Sequence, residues 1–94
     1  RVETAAEIVA KKLWHRGDRV SARDVFDLSL VIEREPQALM AVSRHLVRHK
    51  TEFLQQLHSR AGILKLQFDA IDTLTYRPTY DEAANRATEF LRHL

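Results

Sequence analysis

The sequence predicts an all-α fold, a compact bundle of five or six helices. Three observations carry this. Apolar residues recur at spacings of three and four along most of the chain, the period of a helix with one buried face. The helix breakers are scarce, two glycines and two prolines, and Gly17, Pro36, Gly62 and Pro78 fall where those periodic runs end or begin. Helix-start signals sit beside them: Thr79 with Glu82 reads Thr-x-x-Glu, and Ser21 with Asp24 resembles the same reciprocal capping box.

Residues 3–16 form a first helix whose apolar arc is Val2, Ala5, Ala6, Val9 and Leu13. The second helix starts at Ser21 and runs to about Glu33. It is apolar around most of its circumference, which predicts a central position. Pro36 suits the first turn of a third helix carrying Leu39, Met40, Val42, Leu46 and Val47. That helix continues or bends into Phe53, Leu54 and Leu57 and ends before Gly62. Between Ile63 and Leu74 two patterns compete. Leu64, Leu66, Phe68 and Ala70 alternate like a strand, whereas Leu64, Phe68, Ile71 and Leu74 recur like a helix. A lone strand has no partner here, so a helix is expected. The last helix opens at the Thr79 box and runs through Phe90 and Leu91.

The 94 residues predict a single helical domain, 1–94. With 45% apolar and 30% charged residues the chain falls in the soluble globular range. It contains no cysteine, which excludes disulfides and thiolate metal sites. No apolar run approaches the ~20 residues of a membrane span and no signal-peptide pattern opens the chain, so no membrane association and a cytoplasmic location are expected. Opening on Arg1, directly into helical pattern, reads as a fragment or processed product of a longer chain. The net charge of +2 is unevenly spread. Arg44, Arg48, Lys50, Arg60 and Lys65 share the middle with three histidines and one acid, Glu52. Such a segment either meets an anionic partner such as RNA or is a solvated face of an amphipathic helix. Aromatics are not interleaved with it, so a base-stacking platform is missing.

The chemistry lies between Glu7 and Asp27. At 100° per residue, Lys11 falls on the polar side of the first helix with Glu7, in the favourable i,i+4 order. Lys12 instead lies between Ala5 and Ile8, on the flank of the apolar arc, where a lysine must snorkel or find an anion. The second helix repeats the anomaly with opposite sign. Asp24 projects between Leu28 and Val31, and Asp27 lies on the adjacent flank with Arg23 and Arg34. Lys12 and Asp24 or Asp27 are therefore natural partners across a tight antiparallel pair. On residue chemistry alone they are either a structural ion pair locking two helices or part of a charged site.

The run Glu7-Ile8-Val9-Ala10-Lys11-Lys12-Leu13, then Arg16-Gly17-Asp18, then Arg23-Asp24-Val25-Phe26-Asp27-Leu28 resembles the C-terminal signature of the AbiEii/AbiGii-toxin-type nucleotidyltransferases. Members show a helix with lysine before leucine, an arginine-containing turn and an Arg-Asp-x-x-Asp-Leu helix start. Tyr76 to Leu94 is similar to the family's last helix. The resemblance implies that the chain is the C-terminal portion of a larger polymerase-β-like nucleotidyltransferase of toxin–antitoxin, abortive-infection systems. The N-terminal half of such proteins carries a Gly-Ser turn and an Asp-x-Asp strand that holds magnesium. Neither occurs here. Asp24/Asp27 and Asp69/Asp72 are spaced by three on expected helices, which does not suit two-metal chemistry.

What the resemblance implies is a complementary role. Lys12, Asp24 and Asp27 are the expected catalytic residues, with Lys12 meeting the triphosphate and an aspartate orienting it or completing an acidic cluster. Arg23 and Arg16 are the expected substrate-binding residues, and no metal ligand is expected. Mg2+ and a nucleoside triphosphate would serve the full-length protein, and this chain alone would hold no cofactor and be inactive. The implied partners are an N-terminal nucleotidyltransferase domain, an RNA acceptor and a cognate antitoxin.

Other candidates are weaker. His45 and His49 have zinc-ligand spacing, but no glutamate follows His45, and Arg44 and Arg48 flank them with repelling charge. The serines form no nucleophile motif. Trp14 projects from the polar side of the first helix, as a packing surface for another domain or as cover for a neighbouring loop. Two other classes of function stay open, a helical nucleic-acid-binding module and a purely structural or partner-binding bundle.

Overall fold

The structure is a computed structural model that describes residues 3–73 and 75–94. Val2 and Leu74, placed above in apolar arcs, lie outside the described residues. Among the described residues there are seven helices and no strand: α1 (Ala5–Arg16), α2 (Ala22–Arg34), α3 (Pro36–Ala41), α4 (Arg44–Val47), α5 (Lys50–Ser59), α6 (Ala61–Asp69) and α7 (Tyr80–Arg92).

Three helices start on reciprocal capping boxes: Thr4 with Glu7, Ser21 with Asp24, and Thr79 with Glu82. In each, the cap hydroxyl accepts the backbone N–H three residues on, and the carboxylate there accepts the cap's own N–H. Two otherwise unpaired donors are thereby satisfied. The α2 helix is central, packing on α7, α1, α6 and α3. Its Val25, Leu28 and Val31 are buried with Ala6, Ala10 and Leu13 of α1 and Ala83, Ala87 and Leu91 of α7. Alanines along α1 and α7 allow those helices to approach α2 closely.

The expected long third helix is broken into α3, α4 and α5. Straight, residues 36–59 would span about 36 Å, slightly more than the longest dimension of the molecule, 35 Å. Turns at Val42–Ser43 and Arg48–His49 fold the segment back, so that each piece reaches the core: Leu39 from α3, Leu46 from α4, and Phe53 with Leu57 from α5. Gly62 does not mark a break. The chain changes direction at Arg60, whose φ/ψ are −114/20°, and Gly62 sits in the first turn of α6 with nothing within 4 Å of where a Cβ would stand. In α6 the helical pattern prevails: Leu64 and Phe68 are buried one turn apart, while Leu66 is 71% exposed. The helix stops at Asp69, and 71–73 have no regular structure.

Candidate functional site: charges on consecutive helices

The α1–α2 pair is antiparallel, with Arg16 opposite Asp24 and Lys12 opposite Asp27. The turn between them is held from outside. The Gln56 side-chain carbonyl on α5 accepts from Val20 N–H at 2.9 Å, and its amide donates to the Asp18 carbonyl. Arg60 donates to the Val20 carbonyl. Gly17 lets α5 come close. A Cβ there would stand 2.9 Å from His49 Cβ and 2.5 Å from the Leu13 carbonyl oxygen.

Lys12 is within reach of an aspartate, as its place beside the apolar arc requires. Its Nζ is 4.0 Å from Asp27 Oδ2, and Arg23 Nε donates to Asp27 Oδ1 at 3.1 Å. Two cations thus share one carboxylate. The lysine is 51% and the arginine 64% exposed, against 20% for the aspartate, so the excess positive charge faces solvent. Asp24 is engaged differently. It is 6% exposed, accepts the Ser21 N–H at 3.1 Å, and pairs with Arg16 Nη2 at 3.2 Å. One side chain therefore closes the α2 cap and holds the guanidinium at the end of α1. Val9, Lys12, Leu13, Asp24 and Asp27 line a crevice between the helices too narrow for a water molecule. A ligand can meet this row only from its exposed side.

These donors do not fit a metal cluster. Asp24 faces a guanidinium and Asp27 faces a guanidinium and an ammonium, and among the described residues no group of three or more His, Asp or Glu side chains converges. The histidine pair is likewise divided: His45 packs edge-on against Trp14, and His49 is mostly enclosed, with Nδ1 3.5 Å from Glu52 Oε2. Trp14 also carries Arg48 over its ring, 4.7 Å from the centroid. It covers α4 and the turn that follows it within this fold. Two cations of the basic middle are thus engaged internally, Arg48 on Trp14 and Arg60 on Val20.

Sequence reasoning passed over several residues. Thr4 and Glu7 carried a readable Thr-x-x-Glu signal. Gln56 and Arg60 carried none, because their partners are 35 to 40 positions away. Nor was there a signal for the polar chain that ties residues 75–76 to α2 and α7. In it the Tyr76 hydroxyl hydrogen-bonds Ser29 and accepts from Arg86 at 2.6 Å, and Arg86 also pairs with Glu33 at 2.9 Å.

A helix pair that aligns three cations with two carboxylates, its excess charge turned outward, belongs to a class of helical domain suited to an anionic ligand. The family comparison makes the class specific. The model described as "Nucleotidyl transferase AbiEii toxin, Type IV TA system" matches residues 1–93. The chain belongs to that family, and its role is related to nucleotidyl transfer in a toxin–antitoxin system. Comparisons with curated proteins and with solved structures gave no match. No helix among the described residues is long and apolar enough to cross a membrane.

Proposed function

We propose that this chain is the helical C-terminal part of a nucleotidyltransferase and supplies the phosphate-facing side of its active site. The reaction would move a nucleoside monophosphate from a nucleoside triphosphate to an RNA acceptor. The observation that carries this reading is the sharing of Asp27 by Lys12 and Arg23. A carboxylate that neutralises one cation leaves the other free to meet an anion, and the half-exposed Lys12 is the longer and looser contact. Asp27 positions both cations. Asp24 does the same for Arg16, which keeps outward N–H groups for a phosphate oxygen. Magnesium and the triphosphate would be held by carboxylates of an N-terminal nucleotidyltransferase domain. A cognate antitoxin is the partner that the family supports, and the cytoplasm the compartment in which acceptor RNA is met.

The test compares transfer with stability in the full-length protein. An ion pair this exposed contributes about 0–1 kcal/mol to folding, so Lys12→Ala and Asp27→Ala should shift the melting temperature by only a few degrees. Loss of charge stabilisation at the reacting phosphates should slow transfer by about 10²–10³-fold. Melting curves beside transfer of labelled nucleotide to RNA make the comparison. Normal turnover per folded molecule in both variants would reduce the pair to scaffolding and end the proposal.

A further inference from the structure

Beyond the Lys12–Asp27 row, α2 continues into a second feature. Asp72, Thr73, Thr75 and Tyr76 stand beside it and leave an open groove of about 190 Å³, with Arg23, Leu30 and Arg34 on the helix wall opposite them. Arg23 and Arg34 are eleven residues apart, so they share a face of the helix to within ~20° and stand about 16 Å apart along its axis. Arg34 is exposed and forms no ion pair among the described residues. Its Nη2 donates to Thr75 Oγ1 at 3.2 Å, a neutral partner that leaves the cationic charge uncompensated. As an acceptor in that bond, the Thr75 hydroxyl keeps its own proton to donate. The groove wall is held in place by the bonds of Tyr76 to Ser29 and Arg86.

The chemistry of the lining selects the ligand. Ring faces are already used inside the fold: Phe26 packs on Phe68 and Tyr76, Arg23 lies over Phe26, and Arg86 lies over Tyr76. Base stacking is therefore not what the groove provides. It provides guanidinium and hydroxyl groups, which read phosphates without regard to sequence. Two guanidiniums based three helical turns apart are too widely spaced to serve one phosphate group and are suited to phosphates a few nucleotides apart on one strand.

We propose that this groove binds the backbone of a single-stranded nucleic acid, Arg34 holding a phosphate a few nucleotides from the one that reaches Arg23. It rests on the proposed function only in placing the end of the strand at the Lys12–Asp27 row. Asp72 is the opposing charge on the rim. It takes part in no hydrogen bond or ion pair among the described residues, so its removal should favour binding.

The test is fluorescence anisotropy of the full-length protein with 5′-labelled oligouridylates of two, four and eight nucleotides. Nucleoside triphosphate is left out and a chelator is added, and each titration is run at several salt concentrations. The octamer should bind more tightly than the dimer. Arg34→Ala should weaken octamer binding about tenfold and lower the salt slope by about one, the signature of one lost phosphate contact. Arg34→Lys should keep that slope, and Asp72→Asn should tighten binding several-fold. Octamer binding unchanged in Arg34→Ala, or a dimer that binds as well as the octamer, would overturn the proposal. If Arg34→Ala melts early because Thr75 loses its partner, Asp72→Asn decides alone, and no gain in affinity there is a negative result. Neither outcome bears on Lys12, because binding is read without turnover. Conversely, normal transfer by Lys12→Ala would leave the groove standing.

Discussion

At the scale of single residues, the two aspartates of the site differ in burial, and their substitutions should differ in kind. Asp24 is enclosed, closes the α2 cap and faces Arg16. Asp24→Ala removes a capping interaction worth about 1 kcal/mol and frees a guanidinium, so it should lower the melting temperature visibly. Asp27→Ala should not. A calorimetric scan of the two variants side by side checks the contrast, and equal destabilisation would contradict it. Tyr80, on α7, presents a titration. Its hydroxyl donates to the Leu57 carbonyl at 2.9 Å inside the core. Burial, reinforced by the neighbouring Asp81 carboxylate and opposed by Arg60, pushes the phenol above its ordinary value of 10.0. An acid whose folded-state pKa is raised holds its proton longer in the native than in the unfolded chain. Its stabilisation is therefore complete below about pH 10 and is lost as the pH rises through the higher folded value. Tyr80→Phe should cost about 1 kcal/mol at neutral pH and make the alkaline decline in denaturant midpoint shallower. A decline of unchanged steepness would show that another group governs it.

At the scale of elements, the approach of α5 to the end of α1 depends on Gly17. Its φ of −64° is ordinary for any residue, so the requirement is space rather than backbone freedom. Alanine would push against His49 Cβ and the Leu13 carbonyl, an overpacking that costs about 1–3 kcal/mol. For a domain of this size that lowers the melting temperature by roughly 5–20 °C. Gly62→Ala meets open space and should be neutral or slightly stabilising. Thermal melts of the two variants separate crowding from a general loss of glycine. The same elements show what was legible in the sequence. The starts at Ser21, Pro36 and Thr79 and the central place of α2 could be read because caps and amphipathic faces are local patterns. So could the approach of Lys12 to an aspartate of the next helix, since helical geometry places both beside apolar arcs. Gly62 misled because a glycine on an exposed helical face looks the same in sequence as one in a turn. The division of residues 36–59 into three helices was hidden, since heptad-spaced Leu39, Leu46 and Phe53 suit one long helix as well as three short ones. The partners of Gln56, Tyr76 and Arg34 lie too far along the chain for any local pattern to show.

At the scale of the whole molecule, the charged row and the core around α2 answer to different demands. Burial of α2 against α7 and α1 accounts for the fold without Lys12, Arg23 or Arg34, all of which face outward. The row is thus free to be specified by a ligand. For nucleotidyl transfer this arrangement has a consequence. Two-metal chemistry needs carboxylates converging on ions about 3.5–4 Å apart, whereas here Asp24 and Asp27 each accept from cations of the same helix pair. Releasing both to bind metal would leave a buried Asp24 without Arg16 and three cations without a counter-charge. The chain on its own is therefore expected to position phosphates and not to catalyse transfer. Incubated with labelled nucleoside triphosphates, magnesium and RNA, purified 1–94 should leave the RNA unlabelled while remaining folded by circular dichroism. Joined to a nucleotidyltransferase half that holds metal, the same residues should become rate-determining, Lys12 first. Labelling of RNA by the isolated chain, abolished by Asp24→Asn or Asp27→Asn within it, would mean that these carboxylates do leave their cations to hold metal, and the division of labour proposed here would have to be abandoned.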